Sequence, residues 1–239
     1  MAETGHARNV ANLGTMIAFC IGYGVDYKPT NPLIEIPSLQ ALLAQAQAAL
    51  DDVQVKLAPW KNKVADRENI YLGIRPLTTQ ILAAFDACGA AANKVDNMRT
   101  FQRQVQGARA KALPPDDPST PEDESKGNSV SHLSYVQVAE AFSQMIQIAL
   151  AEPLYTPNEA HLQIGTLQTR LAAMEAANTG VVDTAVPLSN SRITRNDVLY
   201  TDVTGIADVA ALVKKYVKSV FGATSPQYAQ VSGLEFKRR

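Results

Sequence analysis

The sequence predicts an all-α protein: an elongated antiparallel helical bundle of two tandem, pseudo-twofold-related repeats, each with one long helix kinked at a proline. Three observations predict it. The chain contains itself twice: Tyr27, Pro29, Ile36, Leu39, Gln40, Leu43, Val53, Pro59 and Arg67 recur 128 residues later as Tyr155, Pro157, Ile164, Leu167, Gln168, Leu171, Val181, Pro187 and Arg195. Each copy carries a sustained apolar heptad. No segment alternates apolar and polar residues convincingly at period two.

The elements follow in order. A short first helix is marked by Val10, Leu13, Ile17 and Cys20, and Gly22-Tyr23-Gly24 ends it by supplying a positive φ. The long helix then runs from the low thirties to about residue 70. Its seam is Ile36, Leu39, Leu43, Ala46, Leu50, Val53, Leu57, Trp60 and Val64, alternating steps of three and four as in helices packed along a partner. At 1.5 Å per residue such a helix reaches about 55 Å. Pro59 removes a backbone hydrogen bond, but the seam continues past it, which favours a kink over a turn. A third helix carries Leu77, Ile81, Phe85, Cys88 and Ala92.

Residues 113–129, with Pro114, Pro115, Pro118 and Pro121 among Asp116, Asp117, Glu122, Asp123 and Glu124, form an acidic linker that cannot build a core. The repeats are therefore 1–112 and 130–239, and together they form one joint bundle. In the second copy the first helix carries Leu133, Val136, Phe142, Met145, Ile146 and Ala149. The long helix, from about 158 to 199, carries Ile164, Leu167, Leu171, Met174, Asn178, Val181, Ala185 and Leu188. An inserted residue shifts the register to 129, so that Tyr71 meets Tyr200, Ile74 meets Val203 and Leu77 meets Ile206. The third helix holds Ile206, Val209, Val213, Tyr216, Val217 and Val220; Gly222 stops it, and Ser225-Pro226 opens a short terminal helix.

Composition bounds the function. The 239 residues carry a net charge of −1 with a pI near 6.3, which gives no electrostatic footprint for nucleic acid or anionic lipid. Two cysteines are too few for a disulfide framework and suit a reducing compartment. The polar, acidic start does not resemble a signal peptide, and the apolar run near Met16–Ile21 falls short of the roughly 20 residues of a membrane helix. The expectation is a cytoplasmic protein without membrane insertion.

Motifs for chemistry are sparse. His6 and His132 open the first helix of each copy and could pair on a metal, but residues there more commonly sit in a solvated first turn. His161 aligns with Leu33 and reads as a surface residue. Glu3-Thr4-Gly5-His6 has the Glu-x-x-His spacing of di-iron bundles but occurs once, whereas such sites need two. There is no His-Glu-x-x-His, Cys-x-x-Cys, phosphate loop or Gly-x-Ser-x-Gly. No catalytic residue, cofactor or metal is expected.

Arg67 with Glu68, and Arg195 with Asp197, stand at matching places near the end of each long helix. The arginines fall on the seam, where a buried charge needs a partner. They read either as Arg–carboxylate pairs that fix helix register or as a small-ligand site between helices. Tyr27, Trp60, Tyr71, Tyr155 and Tyr200 could line such a site. Asn178, a polar seam residue, reads as a pairing determinant. Lys214, Lys215 and Lys218, like Arg99, Arg103, Arg109 and Lys111, read as solvated faces. The tail Lys237-Arg238-Arg239 could meet the acids of a neighbour's linker, which makes both segments candidate assembly contacts.

Gly5–Asn12 and Phe221–Leu234, with Ser131–Val136 and Arg195–Tyr200, resemble a family of uncharacterised, internally duplicated helical proteins from bacterial genomes. The resemblance implies no activity, cofactor or site residue. The residues shared between copies are seam positions, prolines, tyrosines and turn residues, not a polar cluster. They point to a non-enzymatic structural or interaction protein that forms a homo-oligomer. The alternative is a ligand-binding bundle with its site near Arg67 and Arg195.

Overall fold

The computed structural model describes residues 4–107 and 134–238. Over these the chain is all-helical, with no strand: α1 (Thr4–Gly22), α2 (Ile36–Tyr71), α3 (Ile74–Ala87), α4 (Ala92–Gln106), α5 (Tyr135–Leu150), α6 (Ile164–Tyr200), α7 (Ile206–Phe221) and α8 (Pro226–Ser232). Among the described residues no helix is long and apolar enough to cross a membrane. The linker acids Asp116, Asp117, Glu122, Asp123 and Glu124, together with His132 and Arg239, lie outside the described residues.

Helices α2 and α6 run unbroken through Pro59 and Pro187 for 36 and 37 residues. Every position of both predicted seams is buried or half-buried, in a regular rhythm. Leu39, Ala46, Val53, Leu167, Met174, Val181 and Leu188 are buried, while Ile36, Leu43, Leu50, Ile164, Leu171 and Asn178 between them are half-buried. Leu43 and Leu171 are thus flank residues, and Leu39 and Leu167 are the core of the seam.

The described residues divide into two compact units, and the division does not follow the copies. The first unit takes the chain up to Lys61 and from Thr184 onward; the second takes Asn62 to Asp183. Each unit therefore combines the opening of one copy with the closing of the other, and both long helices contribute to both units.

In the first unit α1 packs on α7 and α8. Leu13, Met16, Leu39, Leu199, Val213 and Val217 form its centre. In the second, α4 packs on both α3 and α5, around Ile81, Phe85, Met98, Phe142, Met145 and Leu167. Burying one such aliphatic or aromatic side chain stabilises by about 1.5–3 kcal/mol, so each unit has a core of its own.

Two local devices recur between the units. Before each long helix a tyrosine fixes the entry: the Tyr27 hydroxyl donates to the Ile34 carbonyl at 2.7 Å, and Tyr155 to that of Leu162 at 3.0 Å. At the end of each long helix the duplicated tyrosine meets a ring on the opposing first helix. Tyr71 lies edge-on to Tyr135, with centroids 4.8 Å apart, and Tyr200 lies 5.6 Å from His6.

The structure corrects two expectations about the helices. The third helices do not align with Ile74 opposite Val203. Gly73 and Gly205 both cap them, so Ile74 answers to Ile206, and the buried residues Thr78, Ile81 and Phe85 answer to Ala210, Val213 and Val217. The insertion is three residues and lies in the turn. Ala92 belongs to a separate helix, α4, which the apolar pattern did not reveal because most of its residues are polar and only Val95, Met98 and Val105 are buried. Counted from Gly89 and Gly222, both with φ near 85–89°, the buried Met98 answers to Val231 and the half-buried Phe101 to Leu234. Where α4 continues as helix, the second copy ends α8 at Ser232 and goes on without regular secondary structure to Arg238.

Candidate functional site

A group of polar side chains in the first unit surrounds the inserted turn Thr201–Gly205. Gly205 is dictated by space: a Cβ there would lie 2.7 Å from the Thr201 carbonyl oxygen. Val203 takes φ 71°, a left-handed conformation that β-branched residues disfavour. Its N–H donates to Asp208 Oδ2 at 3.0 Å. The other Asp208 oxygen is paired with Arg238 from the tail. Tyr200, Asp202, Asp208 and Arg238 line a hollow of about 100 Å³. Behind it His6, only 3% exposed, places Nδ1 2.8 Å from the Tyr200 hydroxyl. His6 therefore sits in a core contact, not in a solvated first turn as its position had suggested.

The tail crosses α1 as a strap held by its main chain. Asn9, 1% exposed, donates from Nδ2 to the Lys237 carbonyl at 2.9 Å and accepts the Lys237 N–H on Oδ1 at 3.0 Å. One turn on, Asn12 donates to the Glu235 carbonyl at 2.7 Å. From α7, Lys214 donates to the carbonyls of Ser232 and Leu234 and lies 5.6 Å from the centre of the Phe236 ring. Burial lowers the pKa of its ammonium. Lys214 is thus a strap clamp, where the sequence suggested a solvated face. Asn9, Asn12 and Asp208 were not singled out from the sequence. The available signal was the Asn9-x-x-Asn12 spacing, which puts two amides on one side of α1.

The second unit holds a different arrangement at the end of its long helix. The Tyr71 hydroxyl donates to the Tyr135 carbonyl at 2.7 Å and accepts from Asn178 Nδ2 at 2.8 Å. The Arg67 guanidinium lies 4.1 Å from the centre of the Tyr135 ring. Arg67 Nε and Asn178 Oδ1 are buried without a partner. Burial raises the Tyr71 pKa, partly offset by the Asn178 hydrogen bond and the nearby Arg67 charge.

The predicted site residues are not gathered in either unit. Arg67 belongs to the second unit and Arg195 to the first. Arg67 meets an aromatic face in place of the expected carboxylate, and Arg195, buried, donates from Nε and Nη2 to Asn196 Oδ1 at 3.2 and 2.9 Å. Glu68 and Asp197 are exposed. Of the tail residues, Lys237 is held through its backbone and Arg238 pairs with Asp208 of its own chain. Lys237 and Arg238 thus have partners within their own chain. Among the described residues, no group of three metal-ligating side chains comes together.

No protein-family model matches this chain, and no curated protein or solved structure shows significant similarity to it.

Proposed function

We propose that the chain is a structural or interaction protein that assembles with itself through helical surfaces. The observation that carries this reading is an outward apolar stripe on α6. Val186 and Ile193, seven residues apart and so on one face of the helix, are 54% and 56% exposed. These residues lie off the seam, which runs through Val181, Leu188 and Arg195. A stripe of this kind, at heptad spacing on a helix that already buries its other face, suits a second copy of the same helix. The hollow beside Tyr200, at about 100 Å³, is smaller than the few hundred Å³ that small-molecule sites usually need. The reading of the fold that accompanies this function is a tandem duplication in which each copy completes the other's cores.

Mass photometry from nanomolar to micromolar concentration tests the proposal. A defined oligomer is expected, and Val186→Glu with Ile193→Glu should return it to monomer without loss of helicity. A monomer throughout the range for the unaltered chain would end the proposal.

A further inference from the structure

We propose that the groove between α1 and α7 is an exchangeable socket for the carboxyl-terminal strap, and that in the assembly it receives Leu234–Arg238 from a second copy of the chain. This rests on the self-assembly reading and names one of its contacts.

Three features of the groove support it. Recognition runs largely through main-chain atoms. Asn9 makes both bonds to Lys237, Asn12 takes the Glu235 carbonyl, and Lys214 takes those of Ser232 and Leu234. This is how an extended segment is held when it brings no secondary structure of its own, so the strap can leave without unfolding an element. The groove needs an occupant. With the strap gone, Asn9, a fully buried amide, and Asp208, whose carboxylate faces Arg238, would lose these partners. Leu234 and Phe236 would also leave their places against the first unit's core. A second copy's strap satisfies every one of these groups identically, which is the condition for exchange between like chains at low cost.

The comparison between the copies explains why only this end is free to exchange. In the second unit the corresponding place is taken by the last two turns of α4, whose backbone bonds are internal to the helix. There Gln106 reaches the Arg75 carbonyl and the Thr79 hydroxyl at the start of α3, as Arg238 reaches Asp208 near the start of α7. Beyond Gly233 the strap spans five residues, enough for about 17 Å of extended chain, so neighbours need only bring their first helices within that reach.

A charge exchange across the Asp208–Arg238 pair tests this with full-length protein. Asp208→Arg and Arg238→Asp each mismatch the strap within one chain. Mixed, the two variants match only when straps pass between chains, and the double variant D208R/R238D matches within one chain. With one variant mass-tagged, native mass spectrometry should show mixed assemblies enriched about fivefold over random pairing, a preference that added salt reduces. Because Asp208 also accepts the Val203 N–H, a second pair avoids that residue. Arg8→Cys in one chain and Glu235→Cys in another, both with Cys20 and Cys88 replaced by Ser, can be joined by a short flexible thiol-to-thiol cross-linker only between chains. The Arg8 guanidinium and the Glu235 carboxylate meet at 3.6 Å, and the cross-linker takes up the length that the shorter cysteine side chains lose. An interchain cross-link in the mixture supports exchange. Assembly of the unaltered chain with random mixing and no such cross-link overturns exchange alone, leaving the strap as a permanent internal clasp. A chain that never assembles overturns both this inference and the self-assembly reading.

Discussion

The turn after the first long helix is Leu72–Gly73, and the turn after the second is Thr201–Gly205. Both follow a duplicated tyrosine and both end on a glycine that opens the next helix, yet they differ by three residues. In the short turn Gly73 carries the positive φ itself, at 76°. In the long one that conformation falls on Val203, and the glycine is kept for its lack of a Cβ. Across the insertion Ile74, Thr78, Ile81 and Phe85 are buried, as are Ile206, Ala210, Val213 and Val217, while Ala207 and Val209 are buried where Arg75 is exposed and Leu77 half-buried. The turn absorbed the extra length because it lies at the surface, where insertion costs little. Asp202 of the longer turn lines one hollow with Asp208 of α7, and Asp208 pairs with Arg238, whereas the residue of α3 that answers to Asp208 is Pro76, so the two ends differ in chemistry.

The strongest way to break this comparison is through the cores. Leu39→Ala and Leu167→Ala remove matched side chains, exposed 0% and 1%, one from each unit. Each should cost about 2–5 kcal/mol. Leu43 and Leu171, being half-buried, should cost less when truncated. The chain carries its own reporters: Cys20 is buried in the first unit, and Cys88 is half-buried in the second. Burial pushes the Cys20 thiol up to about 11, so it resists alkylation while the first unit is closed. In denaturant series Leu39→Ala should expose Cys20 earlier, and Leu167→Ala should do the same for Cys88. Equal exposure of both thiols by either change would show that the units unfold as one.

Tyr27→Phe and Tyr155→Phe should each cost about 1–2 kcal/mol, since each leaves a buried carbonyl without its donor. The similarity of the two losses is the test. A difference greater than about 1 kcal/mol would mean that the same hydrogen bond is differently supported in the two units.

Much of this frame was legible before the structure. The heptads fixed both long helices and their buried faces, because a seam of three- and four-residue steps has no other regular solution. The tyrosines were visible as identical residues, although their carbonyl partners were not. Three features escaped, each for a physical reason. Helix α4 buries few side chains, so its polar surface concealed the apolar rhythm. The exchange of halves between copies depends on which partner each helix meets, and the same seam would serve either choice. The strap is held through backbone atoms, which carry no residue signature, so Lys237 and Arg238 drew notice only for their charge.

The turns themselves give the next prediction. Val203→Gly should stabilise by about 1 kcal/mol, since an L-residue in the left-handed region costs on the order of 1–2 kcal/mol and glycine avoids it. Gly73→Ala should destabilise by a similar amount at φ 76°. Opposite signs in thermal melts would sharpen the contrast; a destabilising Val203→Gly would show that the valine side chain contributes more than its backbone costs.

The smallest expected effect concerns acid. Counted from Gly89 and Gly222, Gln227 stands where Lys94 stands, so an ion pair in the second unit has an uncharged counterpart in the first. Lys94 bonds Glu152 at 2.7 Å, while the Tyr23 hydroxyl donates to the Gln227 carbonyl at 2.9 Å. The Lys94 hydrogen bond lowers the Glu152 pKa below its ordinary 4.5, against an opposing contribution from burial. A carboxylate with a lowered folded pKa stabilises the fold fully above its unfolded value, and that contribution is lost as pH falls through the folded one. Below about pH 4.5, therefore, the second unit should weaken by a contribution the first does not share. The reactivity of Cys88 toward a disulfide reagent active in acid should rise before that of Cys20 does. Lys94→Met should remove this part of the acid dependence. If Cys88 opened at the same pH with and without Lys94, the acid sensitivity of the second unit would have to come from its other carboxylates.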